Sequence, residues 1–243
     1  MILAAGLGTR LRPFTDEHPK ALAIVNGKSL LQRNIEYLLS FGIKEIIINV
    51  HHFVEQVAEV IESNNGYGAQ ILLSDEKDEL LETGGGLKKA EWFFNDSKPF
   101  VLMNVDVLTD MDLNAMIEYH KATDAIATLA VTQRDTSRYF LFDEEGKLSG
   151  WRNMKTGEEI ISREAEKYIP MAFSGIHILS PDIFPSLNSF AERRAEPSQK
   201  FSITNAYLDV CKSQPIMAYD HSCTKFIDVG KPESITKAEE MFR

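Results

Sequence analysis

Short apolar runs alternate with longer amphipathic stretches through the first half of the chain, the rhythm that a parallel sheet covered by helices produces. The runs that read as strands are 1–5, 45–50, 70–74, 100–104 and 125–132. Between the first two, 29–41 sets Leu30, Leu31, Asn34, Ile35, Leu38 and Leu39 at helical spacing, and Gly42 suits the left-handed residue that ends a helix. Residues 54–62, 86–94 and 113–122 read as three more helices. The expectation is an α/β fold, a parallel sheet covered by helices on both faces. Ligands are then expected at the carboxyl ends of the strands.

After about Gln133 the rhythm changes. Residues 139–143 and 147–151 flank Glu144-Glu145-Gly146 and read as a hairpin, and 170–179 reads as another strand. Helices are expected at 181–190 and 204–212, short strands at 216–219 and 225–229, and a closing helix at 232–242 with Pro232 in its first turn. The polar stretch 191–202, with Arg193, Arg194, Glu196 and Pro197, reads as a mobile loop. No repeat or linker interrupts the chain, so a single domain over 1–243 is expected.

Composition narrows the function classes. With 243 residues, 44% hydrophobic and 26% charged, the chain can bury a sizeable core, and disordered or coiled-coil readings fall away. Lys and Arg number 26 against 36 Asp and Glu, a net charge of -10, which argues against a nucleic-acid-binding surface. Small anions remain accessible to a local basic site. Cys211 and Cys223 are too few for a disulfide framework and suit a reducing, cytoplasmic setting. The histidines lack zinc-binding spacings, and His51-His52 reads as the polar end of a strand. Residues 1–5 are apolar, but Arg10 and Arg12 follow too soon for a signal peptide or a membrane span.

The candidate chemistry begins where the first strand ends. Leu3-Ala4-Ala5-Gly6-Leu7-Gly8-Thr9-Arg10 carries a strand into a glycine turn, where small residues let backbone N–H groups approach a phosphate chain and Arg10 supplies a planar cation. Pro19-Lys20 adds a second cation. The string is neither a Walker A loop nor a complete dinucleotide fingerprint, and an ordinary tight turn is the competing reading. Leu81-Glu82-Thr83-Gly84-Gly85-Gly86 is the second site: three glycines are an expensive way to start a helix, and their bareness suits a flat base lying on the backbone.

The stretch LAAGLGTRLRPFTDEHPKAL resembles the opening signature of the sugar nucleotidyltransferases, LAAGxGTRLxPxTxxxPKxL, at every defined position. The resemblance continues through Asn104-Val105-Asp106 to Phe226-Ile227-Asp228-Val229-Gly230. It implies a Rossmann-like three-layer sandwich with a mostly parallel central sheet, of the nucleotide-diphospho-sugar transferase type, with a nucleotide-binding core over 1–133 and a sugar-binding and closing part over 134–243. It also implies a Mg²⁺-dependent reaction in which a sugar 1-phosphate attacks the α-phosphate of a nucleoside triphosphate and pyrophosphate leaves. Such a displacement needs no protein nucleophile, only charge neutralisation and in-line positioning.

Carried over residue by residue, the resemblance makes Arg10 and Lys20 catalytic. Leu3, Ala4, Ala5, Gly6, Gly8, Thr9, Arg10, Glu82, Thr83 and Gly84 become nucleotide-binding, and Asp106 and Asp228 become the magnesium ligands. Asn104, Trp151, Asn153, Ser174 and Gly175 become sugar-binding. Asp106 also ends an apolar strand, where a carboxylate faces the ligand crevice, while Asp110 and Asp112 read as caps of the helix that follows. The ETGGG form is most similar to N-acetylmuramate 1-phosphate uridylyltransferases, with mannose 1-phosphate and heptose 1-phosphate guanylyltransferases close behind. The expected partners are therefore UTP or GTP and a sugar 1-phosphate; a homo-oligomer is left open.

Two other readings stand beside this one. A nucleotide-sugar sensor would keep the pocket without the reaction, yet would be free to lose Lys20 or the aspartates, which this chain retains. A phosphocholine cytidylyltransferase shares the opening signature, but the intact Thr83-Gly84-Gly85-Gly86 segment and the sugar-type second half count against it. The chain lacks the EKP segment of the hexose thymidylyl- and uridylyltransferases and the left-handed β-helix of the bifunctional N-acetylglucosamine enzymes. Family members carry two to four residues before the first strand, so that strand is expected to be clipped.

Overall fold

The structure is a computed structural model that describes residues 1–194 and 198–243. Its first elements are β1 (Ile2–Leu3), β2 (Ile24–Val25), β3 (Lys28–Ser29), α1 (Leu30–Ser40), β4 (Glu45–Val50), α2 (Val54–Ser63) and β5 (Gln70–Asp75). There follow α3 (Glu82–Lys89), β6 (Phe100–Asn104), β7 (Val107–Thr109), α4 (Leu113–Ala122), β8 (Ala127–Thr132), β9 (Arg138–Phe142), β10 (Leu148–Asn153) and β11 (Glu159–Ile161). The chain closes with β12 (Ile169–Leu179), α5 (Ile183–Arg193), α6 (Ile203–Val210), β13 (Ile216–Asp220), β14 (Phe226–Asp228) and α7 (Pro232–Met241). It divides into two compact units, the first made of 1–82, 103–111 and 225–243, the second of 83–102 and 112–224.

The first unit holds the expected parallel sheet. β1 pairs in parallel with β4 on one side and with Met103 and Asn104 of β6 on the other. β4 pairs in parallel with β5 along its whole length, from Glu45↔Gln70 to Val50↔Asp75. Ile46, Ile47, Ile48, Asn49 and Val50 are all buried, as in a strand covered on both faces. Helices α1 and α2 make the crossovers, and α1 is capped by Ser29, whose side chain accepts the Gln32 N–H. Gly42 takes its expected left-handed conformation, φ 78°. Leu3, Asn49, Ser74 and Asn104 therefore lie at the same, carboxyl, edge of the sheet.

A second cluster in this unit packs Leu11, Val25 and Leu30 against Leu108, Val229 and Ala238, with Phe14 and Ile227 beside them. It fastens the loop after β1 to the antiparallel pair β7–β14 and to α7. β14 falls within the short strand expected at 225–229, but its partner β7, three residues long, carries no readable periodicity and was not anticipated.

The second unit is largely antiparallel. β9, β10 and β11 form a meander, β12 pairs antiparallel with β9 and with β8, and β13 runs parallel to β8. The expected hairpin turn is present, with Gly146 at φ 78° and its N–H donating to the Asp143 carbonyl. Three expectations shift. The third helix begins at Glu82, so the glycines lie inside its first turns rather than before it. Residues 191–193 end α5 instead of opening a loop, while 195–197 of that loop lie outside the described residues. Asp112 caps α4 by accepting from Asn114 and Ala115, but Asp110 is no cap: its carboxylate accepts the Lys225 N–H. Among the described residues no helix is long and apolar enough to cross a membrane.

Candidate active site

The loop after β1 is shaped by close approaches that only glycine permits. Gly8 sits at φ 60°, and a Cβ there would come within 2.9 Å of Lys20 Cβ and 3.0 Å of Thr15 Cγ2. Its carbonyl accepts the Leu11 N–H at 2.8 Å and the Thr15 hydroxyl at 3.0 Å, which closes the turn that presents Thr9 and Arg10. Gly6 differs: a Cβ there would meet no protein atom within 4 Å, so packing against the protein does not require the glycine. Its bareness suits a backbone that a ligand approaches.

Lys20 opens a single helical turn after the extended Pro19 and pairs through Nζ with the Asp106 carboxylate. The two side chains are only 10% and 14% exposed, so neither charge is well solvated alone. Asp106 occupies the turn between β6 and β7. Asn34 on the buried face of α1 donates to the Val105 carbonyl at 2.7 Å and pins that turn. Asp228, at the end of β14, faces Val107 in the β7–β14 register, and the Val229 N–H donates to the Asp106 carbonyl at 2.8 Å. The two aspartates are thus neighbours across one ladder, although 122 positions (228 − 106) separate them in sequence.

Gly230 joins Arg10 to this pair. A Cβ on it would lie 2.5 Å from Asp228 Oδ1 and 2.7 Å from Arg10 Nη2, so the carboxylate and the guanidinium share the space above that glycine. The first unit therefore assembles two cations, Arg10 and Lys20, with two carboxylates, Asp106 and Asp228. Among the described residues no group of three or more His, Cys, Asp and Glu side chains could hold a metal. Two carboxylates are too few for a closed zinc site but suit Mg²⁺, which takes one or two carboxylates and completes its shell with water and phosphate oxygens.

Two polar residues that sequence reasoning passed over lie behind the loop. Asn49 accepts the Ala4 N–H and donates to Glu76, and Glu76 accepts the Leu81 N–H; both side chains are buried. Glu82, the next residue, has φ 61°, a left-handed conformation that is uncommon for a side chain of its size. His51, at the strand end as expected, meets the Glu76 carbonyl at 2.7 Å through Nδ1.

In the second unit several expected ligand residues turn out to be engaged by the protein itself. The Thr83 hydroxyl accepts the Ile203 N–H at 2.9 Å, and the N–H groups of Gly84 and Gly85 donate to the Phe201 carbonyl. A Cβ on Gly84 would lie 2.3 Å from the Phe201 ring, so this glycine answers first to packing. Ser174 is 2% exposed, and its hydroxyl meets His221 Nε2 at 2.8 Å; His221 Nδ1 meets the Thr224 hydroxyl at 2.9 Å. Gly175, at φ 73°, sits where the β12–β8 register slips between Phe173 and His177, a bulge of the kind that re-aims a strand. Asn153 Oδ1 accepts the Lys155 N–H, making Asn153 a turn former, and Trp151 is half-buried on β10 beside Phe140 and Ile160. Cys211 and Cys223 are both free.

A family model described as nucleotidyl transferase matches residues 1–243. The chain is 32% identical over 192 residues to an N-acetylmuramate alpha-1-phosphate uridylyltransferase of Caulobacter vibrioides, covering 75% of each protein. It is 32% identical over 208 residues to a UTP–glucose-1-phosphate uridylyltransferase of Synechocystis, of which it spans about half the length, 51%. Among solved structures, HddC from Yersinia pseudotuberculosis complexed with GMP-PN is similar with a TM-score of 0.74 and 25% identity, over 100% of this chain and 98% of that one.

Proposed function

The chain belongs to the nucleotidyl transferase family, as a sugar 1-phosphate nucleotidyltransferase, and we propose that it joins UTP to N-acetylmuramate 1-phosphate with release of pyrophosphate. An oxygen of the sugar phosphate attacks the α-phosphorus, the bond from that phosphorus to the oxygen bridging to the β-phosphate breaks, and pyrophosphate departs. The reactants repel each other, so the protein's task is to hold them together and to offset charge as it moves onto the leaving group.

The observation that carries this reading is the Lys20–Asp106 ion pair, set among the four charges of the first unit and next to the glycine loop. In the proposed mechanism Arg10 draws the β- and γ-phosphates. Lys20 contacts the α-phosphate and the incoming sugar phosphate. The backbone of Leu3, Ala4, Ala5, Gly6, Gly8 and Thr9 lines the phosphates, and Glu82, Thr83 and Gly84 serve the base. Asp106 and Asp228 would hold Mg²⁺, which when bound neutralises phosphate charge. Sugar recognition is assigned to Asn104, Trp151, Asn153, Ser174 and Gly175. Ser174 and Asn153 act there by fixing backbone, since their side chains are already bonded to His221 and to the Lys155 N–H. The same reading sets the protein in the cytoplasm and its product among cell-wall precursors.

A second reading, a guanosine nucleotide with mannose or heptose 1-phosphate, is favoured by the likeness to HddC, the structure complexed with GMP-PN. One experiment separates the two: pyrophosphate release measured with Mg²⁺, each nucleoside triphosphate and a panel of sugar 1-phosphates. Turnover confined to UTP with N-acetylmuramate 1-phosphate supports the first reading, and turnover confined to GTP with mannose or heptose 1-phosphate the second. No release with any pair points to a sensor. Lys20→Ala should lower kcat by about 10²–10³-fold, the scale of losing one preorganised charge partner. Near wild-type release by that variant would sink the assignment.

A further inference from the structure

Asn49 and Glu76 form a buried relay, and the geometry points to their being positioning residues that set the phosphate loop against Leu81–Glu82 for nucleotide binding. The inference rests on the functional reading of the 3–10 loop and of 82–84 given above. Asn49 sits on β4, in register with Leu3 on one side and Ser74 on the other. Its Oδ1 accepts the Ala4 N–H at 2.7 Å, and its Nδ2 donates to Glu76 Oε1 at 2.7 Å. The second Glu76 oxygen accepts the Leu81 N–H at 3.0 Å. Glu76 is 0% exposed and Asn49 is 2% exposed, so these bonds are made out of water, where an unpaired member is costly.

The chain of bonds has a fixed polarity. The Ala4 N–H can meet only an acceptor, which sends the Asn49 amide nitrogen toward Glu76, and residue 76 must then accept on both of its oxygens. A carboxylate does this and a neutral amide cannot. Both ends of the relay are backbone N–H groups, one at the first turn of the phosphate loop and one directly before the left-handed Glu82. A bare structural brace would need no carboxylate here, because burying one is expensive. A relay in which Asn49 holds the Ala4 N–H while Glu76 takes both the Asn49 amide and the Leu81 N–H does need it.

The test is a swap of charge along the relay. Glu76→Gln puts an amide nitrogen where one of two donors must find an acceptor, whereas the double variant Asn49→Asp with Glu76→Gln restores the three relay bonds with the charge moved onto residue 49. The Kd for UTP and for GTP, each with Mg²⁺, is measured by equilibrium dialysis, alongside kcat and both KM values and a urea melt. The expected result is a Kd for the bound nucleotide raised about tenfold or more in Glu76→Gln, with the KM for the sugar 1-phosphate within about twofold of wild type, and recovery in the double variant. A folded Glu76→Gln that binds nucleotide like wild type overturns the proposal. Where that single variant does not fold, the double variant decides: wild-type affinity supports the relay, and a folded double variant without affinity overturns it. If neither folds, the pair serves the fold alone and the proposal fails. Should the wild type bind nucleotide yet release no pyrophosphate with any sugar phosphate, while Glu76→Gln still weakens binding, the relay stands and the reaction assignment falls.

Discussion

Gly230 shows how much of the site depends on a side chain that is missing. Arg10 and Asp228 are both exposed at the surface, and the bare Cα of Gly230 leaves the space into which both reach. Attraction between exposed charges is weak, so the two groups separate readily for the phosphate and metal proposed as their ligands. The Lys20–Asp106 pair is more secluded and gives way only to ligands that replace both lost partners, a phosphate for the lysine and a cation for the carboxylate. Mg²⁺ and the anionic substrates should therefore bind cooperatively. Asp228→Asn keeps the shape of residue 228 and removes half of the carboxylate charge proposed to hold the metal. Its Mg²⁺ half-saturation in the pyrophosphate assay should rise roughly tenfold or more, since even loss of groups that only orient metal ligands costs that much. An unchanged titration would reduce Asp228 to the end of a strand.

At the scale of elements, α3 is where local pattern and tertiary packing diverge. Three glycines ahead of an amphipathic stretch read as a bare shelf for a base, yet Gly84 lies under the Phe201 ring and its N–H is held by the Phe201 carbonyl. Gly84→Ala should cost about 1–3 kcal/mol of stability by overpacking, and trimming the ring with Phe201→Leu in the same chain should recover part of it. Urea denaturation of the two single variants and the double closes the cycle. A Gly84→Ala protein as stable as wild type but poor in nucleotide binding would return the glycine to the ligand. The βαβ rhythm, the Gly42 terminus, the glycine loop and the Lys20 position were legible because each is written within a few neighbouring residues. Glu76 was not: within Asp75-Glu76-Lys77-Asp78-Glu79 it reads as one more solvated charge, and only Asn49 and Leu81 make it a core residue. Asp110 misled for the same reason, as its partner Lys225 lies 115 positions downstream. Asp228 was reached only through family resemblance, because an aspartate before Val229-Gly230 at the end of a short strand reads as a turn residue.

For the molecule as a whole, the net charge of -10 makes the approach of a nucleoside triphosphate unfavourable at long range, so affinity has to come from the local cations. Stability carries a second whole-molecule electrostatic signature, set by histidines buried without charge. His177 is enclosed on β12, its Nδ1 2.6 Å from the Tyr207 hydroxyl, and burial lowers its pKa to about 3 while raising that of Tyr207. His120, beside Thr128 on the inner face of α4, is lowered by burial as well. The unfolded chain takes up a proton at His177 near its ordinary value of 6.5, whereas the folded chain does not until about pH 3. The contribution is therefore fully present above 6.5 and is lost as the pH falls toward 3. Each pH unit within that window costs about 1.4 kcal/mol, a sizeable share of the ~5–15 kcal/mol that holds a typical domain together. His177→Gln keeps a polar partner for Tyr207 but cannot titrate. Between pH 7 and pH 5 the wild type should lose about 2 kcal/mol more stability than this variant in urea melts, although the variant starts from a lower value at neutral pH. Parallel losses in the two proteins would mean that His177 accepts its proton inside the fold.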